Sequence, residues 1–96
     1  EDLVERAFVL GQYFREGLEK MQSPLVKEIR GKGLLIGVEI KEEYGKARPF
    51  CEQLMELGLL CKETHDYIIR FAPPLTITKD EIDWALERIA PILERG

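Results

Sequence analysis

Apolar residues recur along this chain at two intervals, three to four positions in some stretches and two in others, and the switches between them mark out its elements. Residues 2–21 place Leu3, Ala7, Leu10, Phe14, Leu18 and Met21 three or four apart, with Phe8 and Gly11 flanking. That spacing predicts a helix with one apolar face. Ser23-Pro24 ends it, because proline cannot continue a helix and disfavours helical backbone in the residue before it. Two β-rich runs follow, residues 25–30 and 34–40, separated by Gly31-Lys32-Gly33. Glycine supplies the positive φ that tight turns need, so the pair reads as a hairpin. In the second run Leu34, Ile36, Val38 and Ile40 alternate onto one face. Leu35, Gly37 and Glu39 take the other, where Gly37 leaves a gap that another backbone or a partner can approach.

Residues 41–45 are a polar connection, and a second helix is predicted from near Pro49 with Phe50, Cys51, Leu54 and Met55 on one side. Gly58 stands where a helix C-terminal glycine belongs. Residues 59–61 and 67–72 read as two more short strands, linked by Thr64-His65-Asp66. Thr78 with Glu81 three positions later is a capping box, so the last helix starts there and carries Ile82, Ala85, Leu86, Ile89 and Leu93 as its stripe. Pro91 removes one helical hydrogen bond and is expected to kink or shorten the last turn. The order is αββαββα. It predicts an α+β domain over residues 1–96, with helices on one face of a small, mainly antiparallel sheet.

Composition narrows the function classes. With 45% hydrophobic and 33% charged residues, the 96-residue chain has the make-up of one globular domain with a modest core. Its net charge of −4, with basic residues scattered among acidic ones, lacks the basic stripe of a nucleic-acid binder. No apolar run approaches the ~20 residues of a membrane span. Glu1 and Asp2 do not resemble a signal peptide, and a chain opening inside a helical pattern is expected to be a fragment or an excised module. Cys51 and Cys61 are too few for a disulfide scaffold, and with a single histidine no metal cluster is expected. Both cysteines are expected to be free buried thiols, and the chain cytoplasmic.

Most candidates for chemistry have a plainer reading. Gly31-Lys32-Gly33 superficially matches a phosphate loop, but Ile36 stands where the dinucleotide pattern needs its third glycine, so a hairpin turn fits better. His65 lacks any motif tying it to a nucleophile and reads as an ordinary loop residue. Glu42-Glu43 and Asp80-Glu81 read as solvated charges, the second pair suiting a helix start. Arg70 differs. Alternation in Ile68-Ile69-Arg70-Phe71-Ala72 sets it opposite Ile69 and Phe71, and Pro73-Pro74 stiffens the strand's exit. A guanidinium among apolar neighbours needs an anionic partner or a route to water, and its planar fork suits a carboxylate. From these residues alone, a structural ion pair and a ligand site both remain open.

Two segments carry a resemblance. Glu28-Ile29-Arg30-Gly31-Lys32-Gly33-Leu34-Leu35-Ile36-Gly37 resembles the opening of the C-terminal small domain of class III, fold-type I, pyridoxal-phosphate-dependent aminotransferases. Thr64-His65-Asp66-Tyr67-Ile68-Ile69-Arg70-Phe71-Ala72-Pro73-Pro74-Leu75 resembles the substrate-side strand of that domain and, with residues 58–63 before it, looks most like the ornithine aminotransferases. The resemblance implies transfer of the δ-amino group of ornithine to pyridoxal phosphate and then to 2-oxoglutarate. It implies that Arg70 binds a substrate carboxylate, and that a glutamate of the large domain occupies it when ornithine is bound. It implies too that the Schiff-base lysine, the aspartate facing the pyridine nitrogen and the phosphate cup lie in a large domain absent from these residues. No catalytic, cofactor or metal role therefore falls on any residue here, Lys32, Lys41 and Lys62 included, and the chain alone is expected to be inactive. A face uncovered by loss of the large domain, expected near Gly37 and Arg70, would favour self-association. Pro91 and residues 41–45 depart from the family's usual pattern.

Overall fold

In the computed structural model, which describes residues 3–74 and 76–94, the two apolar intervals become two layers. The elements run α1 (Leu3–Lys20), β1 (Val26–Lys32), β2 (Leu35–Ile40), α2 (Ala47–Glu56), β3 (Cys61–Thr64), β4 (Ile68–Phe71) and α3 (Lys79–Leu93). The strands form one sheet in the order β1-β2-β4-β3, each neighbour antiparallel. Ile36, Val38 and Ile40 of β2 and Ile69 and Phe71 of β4 point to the same side, where Phe14, Leu54, Ile82 and Ile89 from the three helices close over them. The expected α+β architecture, one helical layer on one sheet face, is what the chain adopts.

Local chemistry explains the boundaries, including those where the sequence reading was off. The predicted helix start at Asp2, and the Leu75 that closes the arginine segment, lie outside the described residues. Leu3, assigned to the apolar face of α1, is 53% exposed; the buried side is Gly11, Phe14 and Leu18. The hairpin turn is tighter than three residues: Lys32 pairs with Leu35, leaving Gly33-Leu34 as a two-residue turn with φ +59° at Gly33. Positive φ at only the first central position follows the right-handed twist of the strands and extends β1 through Gly31. Residues 59–61 do not form the third strand; it begins at Cys61. After Gly58 (φ +97°) the Leu59 amide donates back to the Leu54 carbonyl at 3.0 Å, so Leu59 closes the exit of α2 and packs in the core. Residues 42–44, read as plain connection, make a single 3-10 turn.

The capping box of α3 forms as read, with Thr78 accepting from the Glu81 amide and Glu81 accepting from the Thr78 amide. Pro91 does not shorten the helix to its own position. The turn continues to Leu93, because Ile92 and Leu93 are buried and the Leu93 carbonyl accepts from the Ser23 hydroxyl. That bond, Arg6 Nη2 to the Ile77 carbonyl at 2.8 Å and Tyr13 hydroxyl to Asp83 tie α1 and its exit to α3 and the turn before it.

Candidate functional site

Strand β4 is hydrogen-bonded on both sides, which fixes every residue on it. Arg70 pairs with Gly37 of β2 on one side and Lys62 of β3 on the other. Its neighbours Ile69 and Phe71 are 0% and 2% exposed beneath the helices, so Arg70 stands on the open face of the sheet, exposed to solvent. Directly paired residues share a face, so a row crosses that face in the order Arg30, Gly37, Arg70, Lys62. A Cβ built on Gly37 would meet only Ile68 Cγ2, at 3.4 Å. The flank of Arg70 toward β2 is therefore open.

Charge is unevenly matched along this row. Arg30 is held by Glu39 and, at 3.3 Å, by Glu28, while Lys27 Nζ lies 3.8 Å from Glu39. Among the described residues neither Arg70 nor Lys62 has an ion pair, although Asp and Glu outnumber Lys and Arg by 18 to 14 in the chain. Glu63, next to Lys62, pairs with Ile69 on the helix side and approaches Arg48 at 3.9 Å instead. Of the two readings left open for Arg70, an internal ion pair is not formed among the described residues.

A sizeable cavity lies elsewhere. An open cleft of about 690 Å³ lies between the exit of β4 and α3, lined by Leu59, Leu60, Phe71, Pro73, Ile77 and Trp84 among others. Arg70 is not part of its wall, since the alternation that buries Phe71 toward the cleft turns Arg70 away. Leu60 at 88% and Trp84 at 41% are exposed on its rim, while Val4 at 80% and Phe8 at 64% are exposed on α1. Met55 at 54% and Leu57 at 44% are exposed at the end of α2, and Leu35 at 52% on the open sheet face. The face around Gly37 and Arg70, where an apolar patch is expected, carries the exposed Leu35 and the half-buried Ile68 among Arg30, Glu39, Arg70 and Lys62.

The remaining candidates take structural positions. His65 and Asp66 form the β3–β4 turn with φ +51° and +65°, and the Asp66 carbonyl accepts from the Ala47 amide at 2.8 Å. Glu42 and Glu43 open the 3-10 turn, and Asp80 and Glu81 the first turn of α3. Among the described residues no group of His, Cys, Asp and Glu has the makings of a metal site. A Schiff-base lysine works from a desolvated pocket, and among the described residues no lysine is buried. No helix among them is long and apolar enough to cross a membrane.

Two features lay beyond the sequence reading. Lys62 was placed past the end of its strand, so its position beside Arg70 was missed; the register of β3 supplies it. Cys51 and Cys61, both free, face each other between α2 and β3, with Cys61 Sγ 3.7 Å from the Cys51 carbonyl oxygen. Cys51 is buried but Cys61 only half-buried. Contact with the Cys61 thiol, reinforced by burial, pushes the Cys51 thiol up, and hydrogen bonding from Cys51 holds Cys61 down.

Comparison with known proteins places this geometry in a family. The sequence model described as Aminotransferase class-III matches residues 1–93. The ornithine aminotransferase of Bacillus subtilis (strain 168) is 57% identical over 96 residues, 100% of this chain and 23% of that protein. That of Staphylococcus carnosus (strain TM300) is 60% identical over 92 residues, covering 96% and 22%. Among solved structures, the ornithine aminotransferase PY00104 of Plasmodium yoelii superimposes with a TM-score of 0.88 at 39% identity, over 96% of this chain and 25% of that one. An acetylornithine aminotransferase from Elizabethkingia anophelis gives 0.87 at 38% identity, over 98% and 26%. The chain therefore spans about a quarter of the length of the relatives it matches.

Proposed function

The chain belongs to the class-III aminotransferase family, and we propose that it serves as the C-terminal small domain of an ornithine aminotransferase, where Arg70 grips a carboxylate of the amino-group acceptor. Fold likeness does not choose between ornithine and acetylornithine enzymes, as the TM-scores of 0.88 and 0.87 are alike. The choice of ornithine is supported by identities of 57% and 60% to proteins of that name. The observation that carries the arginine's role is its state: an always-charged fork on a doubly paired strand, facing open space, with no acidic partner among the described residues. A guanidinium so placed is available to an anion from outside these residues, whether 2-oxoglutarate or, during the ornithine half-reaction, a glutamate of the large domain. An arginine that exchanges one for the other lets a single site accept two substrates.

The large domain would supply pyridoxal phosphate, whose ring is the electron sink of transamination. This chain's part is to bind and orient. The 96-residue chain by itself is expected to show no transamination and no cofactor absorbance when mixed with pyridoxal phosphate. In an aminotransferase holoenzyme carrying this segment, Arg70→Ala should weaken kcat/KM for 2-oxoglutarate by about 2–5 kcal/mol, the scale of removing one partner of a desolvated charge pair. The ornithine half-reaction, followed in single turnover, should suffer less. Unchanged kinetics with 2-oxoglutarate would take Arg70 out of the site.

A further inference from the structure

We propose that Lys62 is the second cation of the Arg70 site, so that the two side chains form a clamp for the carboxylate of a dicarboxylic acceptor. The inference rests on the reading of Arg70 above and adds a residue to it. Lys62 and Arg70 are directly paired on β3 and β4, and both are exposed on the open sheet face. Residues opposed in this way have Cβ atoms roughly 4.5–5.5 Å apart, and like charges so placed destabilise a sheet. Elsewhere on this face the fold avoids that penalty: Arg30 and Lys27 share Glu39, and Arg30 also takes Glu28. Here it does not. No acidic side chain among the described residues comes to either cation, and Glu63 beside Lys62 faces the helices.

An anion resolves the repulsion. A carboxylate has two oxygens and about four acceptor positions, and a bidentate guanidinium fills two of them. An ammonium on a long flexible stem, rooted across the strand pair, can reach a third. Gly37 on the other flank adds neither a side chain nor a charge, so the site is asymmetric, open toward β2 and cationic toward β3. Two adjacent cations favour an acceptor that brings a fully ionised carboxylate to this spot over a donor that brings an amine. Lys62 therefore tunes acceptor affinity and selectivity, and takes no part in proton transfer.

The test uses the holoenzyme carrying this segment, with Lys62→Gln, Lys62→Arg and Arg70→Ala made separately. Lys62→Gln should raise KM for 2-oxoglutarate roughly ten-fold, the scale of one hydrogen bond to a charged group, while kcat and the KM for ornithine stay within about two-fold. Lys62→Arg should restore KM, and the rise of KM with ionic strength should be shallower in Lys62→Gln than in the parent. A merely structural lysine would not give that split, that rescue or that change in salt dependence. If Arg70→Ala raises KM for 2-oxoglutarate but Lys62→Gln leaves it unchanged, the clamp is wrong and the role of Arg70 stands. If neither variant changes it, the reading of Arg70 fails as well.

Discussion

Replacing Gly11 with alanine should unfold this domain more easily, although the same change in an exposed helix interior stabilises. Gly11 lies in the middle of α1 (Leu3–Lys20), where alanine is favoured over glycine by about 1 kcal/mol. Its Cα faces the hairpin turn, and a Cβ there would sit 1.8 Å from the Gly33 carbonyl oxygen and 2.4 Å from its carbon. Ordinary contact begins near 3.4 Å, so 3.4 − 1.8 = 1.6 Å of separation has to be opened. What stands in the way is backbone, held by the Lys32–Leu35 pair on one side and by the buried Leu34 on the other. Overpacking of a fixed neighbour costs about 1–3 kcal/mol, and main chain that cannot rotate aside belongs at the upper end. Set against the propensity gain, a net loss of about 1–2 kcal/mol remains, which for a domain of this size lowers Tm by about 4–16 °C. Gly17→Ala is the internal control. Its Cβ would meet Leu86 Cδ1 at 2.4 Å, but that is the end of a half-buried side chain that can turn, so the loss should be smaller. Urea and thermal unfolding of both variants decide the matter. A Gly11→Ala protein that melts at or above the parent would falsify the close approach of α1 to the turn.

Thr78→Ala removes the oxygen that accepts from the Glu81 amide and should cost about 1 kcal/mol, read as a lower urea midpoint with an unchanged slope. Asp66→Gly relieves a left-handed backbone (φ +65°) at a turn whose carbonyl bond to Ala47 does not involve the side chain. It should raise stability by about 0.5 kcal/mol, and a fall would show that the carboxylate holds the turn. The cysteine pair should react in order. Cys61, half-buried with its thiol pKa held down by Cys51, should be alkylated first and already below the usual thiol range; Cys51, raised and buried, should stay unmodified in the folded protein until well above it. Peptide mapping after timed iodoacetamide labelling across pH 6–10 checks this, and equal rates at the two sites would contradict the pairing.

The sequence alone determined whatever depends on a residue's near neighbours. Helix and strand periods, the capping box at Thr78, the glycine exit of α2 and the side of β4 on which Arg70 stands all follow from two to five adjacent residues. A pleat alternates whatever lies across from it, so the face of Arg70 was legible without a fold. The extent of β3 was misjudged because Leu59 looks like a strand residue locally and is claimed by α2 through a bond back to Leu54. What the tertiary structure decided is who stands opposite whom: Lys62 beside Arg70, Gly37 on its other flank, Cys61 against Cys51, and Gly11 against Gly33. Those pairings depend on strand register and on how closely a helix approaches a turn. Both are set by the burial of the whole core at once, which no local interval encodes.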